Sequence, residues 1–154
     1  MKNVLIAATA ALVVGMGSAV AQQTISPAAE RPTTIGSPDY FTGEVIVEPM
    51  FDASEFRNVS AAMVTFPPGA RSAWHTHPTG QTLVVVSGTG WIQIDGSEKQ
   101  VITAGDVVWF PPEVRHWHGA TDVNAMSHIA VTGVYDESGV DWLEHVTDEQ
   151  YLGD

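Results

Sequence analysis

The segment Gly69-Ala70-Arg71-Ser72-Ala73-Trp74-His75-Thr76-His77-Pro78-Thr79-Gly80-Gln81-Thr82-Leu83-Val84-Val85-Val86-Ser87-Gly88 joins two histidines, two residues apart, to a run of β-branched residues bounded by glycines. A second pair closes the segment Gly105-Asp106-Val107-Val108-Trp109-Phe110-Pro111-Pro112-Glu113-Val114-Arg115-His116-Trp117-His118-Gly119-Ala120. In an extended strand, side chains two apart share a face, so each His-x-His presents both imidazoles in one direction. A single histidine is most simply a hydrogen-bonded core or surface residue. Two His-x-His pairs on β-type segments of one small domain point instead to metal ligation.

The chain around these pairs reads as strands. Runs rich in Val, Ile, Thr and aromatics cover residues 44–50, 59–66, 82–87, 91–95, 100–103, 107–110 and 125–134. Between them lie Pro67-Pro68-Gly69, Gly88-Thr89-Gly90, Asp95-Gly96-Ser97, Ala104-Gly105-Asp106 and Pro111-Pro112, all turn signals. Many short strands with no long helical pattern predict an all-β sandwich or barrel of the jelly-roll type. Near the C-terminus Trp142, Leu143 and Val146 recur at helix-like spacing among acids, which predicts a short amphipathic helix or a covering strap. His145 lies in that tail and carries no assigned role, and Asp106 and Glu113 read as turn carboxylates.

The N-terminal residues do not read as part of the fold. Lys2, the small and apolar run over 4–17 and Ala19-Val20-Ala21 have the form of an export signal with a signal-peptidase site, so residues 1–21 are expected to be a cleaved signal peptide. The run is short for a membrane span, which takes about 20 apolar residues. Residues 22–40, with Pro27, Pro32 and Pro38, read as a linker or arm, leaving 41–154 as one domain. Export, to a bacterial periplasm, is the expected location.

Composition narrows the chemistry. No cysteine occurs among the 154 residues, which excludes disulfides, thiolate metal sites, iron–sulfur centres and thiol nucleophiles. With 18 acidic and 6 basic side chains the formal charge is −12, a poor surface for a phosphate backbone. No phosphate-binding glycine loop or nucleophile elbow is present.

The spacing of glycines, histidines, Gln81 and Pro111 over residues 69–88 and 105–120 resembles the two motifs of the cupin superfamily. That resemblance implies a single-domain jelly-roll β-barrel in which His75, His77, Gln81 and His116 bind one divalent metal. Three positions depart from the usual motif: Gln81 stands where Glu is commoner, Glu113 where Gly is usual, and Ala120 where Asn is frequent. The runs 74–83, 105–110, 116–120 and 140–151 are similar to those of small bacterial manganese cupins with hydroxynitrile lyase activity, the (R)-mandelonitrile lyases. The resemblance implies Mn(II) and a homo-oligomer, a dimer or larger.

Three imidazoles and a carboxamide are neutral donors, so a bound ion keeps its full double charge and acts as a Lewis acid. Donor type alone leaves Mn(II), Fe(II), Ni(II) and Zn(II) open. His118 shares its strand face with His116, and His128 shares one with Met126 and Ala130, so both are candidates for general acid/base work as well as for second-layer or core histidines. The resemblance implies that the reaction is cleavage and formation of an aromatic cyanohydrin, mandelonitrile to benzaldehyde and HCN. Trp109, Phe110, Val64 and Leu83 are candidates for its apolar wall, with plain barrel core as the alternative. Two other functions stay open at this stage: an oxygenase or decarboxylase acting on a small aromatic or lactone substrate, and a non-catalytic cupin in which metal organises a binding pocket.

Overall fold

The computed structural model describes residues 23–136 and 138–153, so the expected signal peptide lies outside the described residues. Twelve strands and one short helix follow a 3-10 turn at Ala28–Glu30. The first half of the chain supplies β1 (Thr34–Ile35), β2 (Phe41–Thr42), β3 (Ile46–Phe51), β4 (Val59–Phe66), β5 (Arg71–Ser72) and β6 (His75–Thr76). The second supplies β7 (Gln81–Ile94), β8 (Gln100–Thr103), β9 (Val107–Phe110), β10 (His116–Ala120), β11 (Met126–Gly133), β12 (Asp141–Trp142) and α1 (Asp148–Leu152). The Pro-rich arm thus contributes an edge strand, because β1 pairs antiparallel with β3.

Two curled antiparallel sheets share β7 and close into a jelly roll. The first half of β7 pairs with β11 and β9, and the second half with β10 and β8. The expected turn at Gly88-Thr89-Gly90 is instead a bend inside this one strand. A side chain at Gly88, where φ is +77°, would meet the Ala125 carbonyl at 1.9 Å, and one at Gly90 would meet Met126 Sδ at 2.2 Å. The glycines let β7 pass from one sheet to the other beneath β11, which the sequence pattern alone reads as chain reversal.

Strand alternation places the core. Val64, Phe66, Leu83, Val85, Phe110, Met126 and Ala130 fill the barrel, each on the inward phase of its strand. On β10 both faces are buried: His116 and His118 point inward, and Trp117 joins Trp74, Val146 and Tyr151 in a second cluster outside. The tail covers that outer face. It runs as a strap carrying β12 and becomes helical only at α1, where Thr147 and Gln150 form a capping box and Gly153 ends the helix. The helix-like spacing of Trp142, Leu143 and Val146 is therefore overridden by strand pairing of Trp142 with His75. Arg71, 5% exposed, clamps the tail by donating to the Val146 carbonyl and to Asp148 Oδ1 (2.6 Å), while Tyr151 Oη donates to the Ala120 carbonyl.

Glu113 takes the left-handed conformation, φ +62°, and its amide donates to the His77 carbonyl at 3.0 Å. This is the position where the motif usually carries Gly. A non-glycine residue there costs about 1–2 kcal/mol, partly offset by the smaller entropy that Glu loses on folding. Glu113→Gly is expected to stabilise the protein by about 0.5–1 kcal/mol, read as a higher midpoint in urea unfolding. An unchanged or lower midpoint would show that the side chain compensates its backbone.

Candidate metal centre

Four strands and one loop bring the histidines and Gln81 together. His75 sits on β6 and His77 in the loop after it; Gln81 opens β7; His116 and His118 lie on β10 and His128 on β11. His116 is registered opposite His75, and Thr132 opposite Gln81. A register shift between Ser127 and His128 sets His128 opposite Val85, aiming its ring inward. None of the six side chains' residues is more than 5% exposed.

His75 is the hub. Its ring centroid lies 4.3 Å from that of His116, 5.0 Å from His77 and 5.2 Å from His118. One nitrogen each from His75, His116 and His118 falls within 4.8 Å of the others, a trio able to hold a metal ion. The tightest group therefore includes His118, which the family motif leaves out of the ligand set. His77 and Gln81 close another side: the His77 ring is 5.5 Å from His116, and Gln81 Oε1 is 3.3 Å from His116 Nε2.

Hydrogen bonds fix which nitrogen each ring offers. Nδ1 of His75 donates to the Ala73 carbonyl (2.9 Å), that of His116 to the Val114 carbonyl (2.7 Å), and that of His77 to the Gly139 carbonyl. With Nδ1 protonated, each neutral ring turns a bare Nε2 lone pair inward. Gln81 donates its amide to Thr132 Oγ1 (3.4 Å), which leaves Oε1 facing the same space. Lone pairs thus converge on lone pairs, and Nε2 of His77 and of His118 is buried without a hydrogen-bond partner. Buried polar atoms are normally satisfied, so the cluster fits a metal ion, with His75, His116 and His118 as the trio that could hold it and His77 and Gln81 facing the same space. No thiolate or carboxylate belongs to the set, in keeping with a hard or borderline metal.

Burial holds all these rings neutral. It depresses the His116 pKa to about 4 and the His128 pKa to about 3. Burial likewise keeps His75 and His118 well below the ordinary imidazole range, reinforced by repulsion from His116 and His128 respectively, and lowers His77. His128 Nε2 lies 3.1 Å from His118 Nδ1, one proton shared between two imidazoles. When His118 holds that proton on Nδ1, its Nε2 is free to act as a base.

A cavity of about 410 Å³ opens onto His75, His77, Gln81 and His118. Its apolar wall is Phe41, Val47, Val64, Val134, Val140 and Trp142. Of the wall candidates read from sequence only Val64 lines it. Leu83 is fully buried core, Phe110 stacks face to face on His116 (3.7 Å, 12°), and Trp109 is 56% exposed on the outer surface, where its ring covers Gly80. Trp109 faces outward because its strand partner Thr82 is on the outward phase of β7. Phe41, Val140 and Trp142 escape sequence reading because two-residue strands and a strap carry no periodicity.

The profile of the Cupin domain family matches residues 62–132. An (R)-mandelonitrile lyase of Granulicella tundricola is 54% identical over 116 residues, covering 75% of this chain and 88% of that protein. A solved cupin-like protein of Thermotoga maritima is 39% identical with a TM-score of 0.74, covering 78% of this chain and 91% of the other. A polyketide cyclase of Streptomyces resistomycificus, 11% identical with a TM-score of 0.64 over 86% of this chain and 91% of its own, shares the fold.

The neutral cluster makes stability depend on pH. Unfolded histidines titrate near 6.5, so below that pH the unfolded chain binds more protons than the folded one. The stabilisation is complete above about pH 7 and is lost as pH falls through about 6 toward the folded values near 4 and 3. Urea midpoints of the metal-free protein are expected to drop over that window, before most carboxylates titrate. A flat profile down to about pH 4.5 would contradict neutral burial.

Proposed function

The chain belongs to the cupin family, and on that premise we propose that it is a metal-dependent carbon–carbon lyase that cleaves and forms aromatic cyanohydrins, with mandelonitrile as the type substrate. The observation that carries the proposal is the buried His118–His128 pair, in which His118 also belongs to the cluster with His75 and His116 and lines the cavity of about 410 Å³. The similarity to a protein named (R)-mandelonitrile lyase supports the substrate class, and Mn(II) is the proposed metal.

His75, His77, Gln81 and His116 would hold a divalent metal, which would supply Lewis acidity toward the substrate hydroxyl. His118 Nε2, unpartnered and facing the ligands, takes the hydroxyl proton. The oxygen electron pair becomes the carbonyl π bond, the bond to the nitrile carbon breaks, and cyanide leaves with the electron pair of that broken bond. Its proton returns from the histidine pair. Because burial disfavours the charged imidazole, the pair gives up this proton readily, and HCN and aldehyde depart with both rings neutral again. Phe41, Val64, Val140 and Trp142 seat the aryl ring and keep water from it.

Residues 1–21 support export of the mature protein. For the homo-oligomer, the outer face of β11, β7 and β9 supports a reading as the contact surface: Val84, Val86, Val107, Trp109, Ile129 and Val131 stand there and no charged residue does, on a chain of net charge −12.

His118→Ala and His128→Ala are each expected to lower kcat for mandelonitrile cleavage by about 100-fold or more, the usual weight of general acid–base catalysis. Their metal content by elemental analysis is expected to match the parent. Full rates in metal-loaded variants would remove the acid/base assignment. Oxygen uptake with iron and no cyanide release would favour an oxygenase, and ligand binding without turnover for any metal would favour a binding cupin.

A further inference from the structure

Trp142 lies in the C-terminal strap, outside both histidine motifs, yet it reaches one of the ligand histidines, His75. On β12 it is registered opposite His75, and its ring centroid is 4.9 Å from the His75 ring. Its other sides are held by Tyr40, stacked at 4.8 Å and 11°, and by the edge of Phe41 at 5.5 Å. Backbone bonds between Leu143 and Trp74, and between Trp74 and Glu144, dock the strap immediately beyond it.

Three residues before Trp142 stands Gly139, whose carbonyl accepts the Nδ1 proton of His77. The three ligand imidazoles differ here. His75 and His116 find their carbonyl acceptors two residues back on their own chain segments, at Ala73 and Val114. His77 depends on a carbonyl 62 residues away, so its tautomer and aim are fixed only when the strap is docked. Among the described residues the strap before Trp142 is also tied by Val134 to Asn58 and by the local Tyr135–Ser138 bridge, away from the histidines, and by Asp141 opposite Thr76 in the short ladder that Trp142 shares.

We infer that Trp142 is a positioning residue of the metal centre: by clamping the strap against His75 it holds the Gly139 carbonyl on His77 Nδ1 and so keeps His77 Nε2 directed at the metal. The inference rests on the reading of these histidines as ligands and is independent of the substrate. Because linkage is reciprocal, a metal that needs His77 in place must in turn tighten the strap. Loss of a group that orients a ligand costs about 10–100-fold in metal affinity.

The test is Mn(II) affinity of the full mature protein by competition with a chelator, together with amide exchange of residues 138–143. Trp142→Ala is expected to weaken Mn(II) binding by about 10–100-fold, and Trp142→Phe, which keeps a ring between His75 and Tyr40, to recover most of it. In the parent, Mn(II) is expected to slow exchange of the strap, and in His77→Ala this protection is expected to vanish while exchange on β8 is unchanged. If Trp142→Ala unfolds more easily but binds Mn(II) as tightly as the parent, Trp142 is merely structural and the inference fails. Should that variant not fold, strap exchange in the parent decides: indifference to Mn(II) overturns the coupling. A parent that binds no divalent metal overturns the ligand reading itself, a distinct outcome.

Discussion

Among the described residues, five imidazoles lie inside one barrel with no buried carboxylate among them, and this is tolerable only while every ring stays neutral, its proton directed to an acceptor wherever one is in reach. The three Nδ1–H bonds to the carbonyls of Ala73, Val114 and Gly139 meet that condition for His75, His116 and His77. Between His118 and His128 one proton is shared, and the pair's outer nitrogens, His118 Nε2 and His128 Nδ1, are left without partners. What this leaves is a set of lone pairs directed at one point, unfavourable by itself and well matched to a cation. The rest of the barrel can be understood as the means of holding that set still.

Rigidity comes from both faces of β10. Inside, Phe110 lies flat on His116 and limits its tilt. Outside, Trp117 is sealed by the tail, whose hold rests on Arg71, buried beneath Tyr151 and bonded to Val146 and Asp148. The Arg71–Asp148 pair matters less for its charge, since Asp148 is largely solvated, than for the two bonds Arg71 makes to the Val146 carbonyl. The tail is thus the outer wall of the strand that carries His116 and His118, and its strap is one wall of the cavity. Chemistry and stability draw on the same few residues, so a change in the tail reaches the metal site without touching a ligand.

Much of this was legible in the sequence. The strands at 59–66, 100–103 and 107–110 have the bounds that β-branched runs and flanking turn residues indicate, and His-x-His spacing sets His116 and His118 on one face of β10, whereas His77 lies in the loop after β6 with its ring 5.0 Å from that of His75. The jelly roll and the cupin kinship follow from those runs and motifs. The long β7 was not legible, because two glycines demanded by close approach of Ala125 and Met126 look the same in sequence as two glycines demanded by a turn. Nor was the cavity wall: Trp109 has the composition of a pocket residue but the wrong strand phase, whereas Phe41 and Trp142 reach the site only through pairings with distant strands. Local pattern reports which face a residue occupies; it does not report which element folds across that face.

The central claim is that His75, His77, Gln81 and His116 form one metal site with His118 next to it but uncommitted to it. Anomalous diffraction from crystals of the Mn(II)-loaded protein, collected at the manganese edge, tests it most directly. The account predicts one strong peak bonded to Nε2 of the three histidines and to Gln81 Oε1, with His118 Nδ1 still paired to His128. A peak coordinated by His118 in place of His77, or none within the cluster, would contradict it.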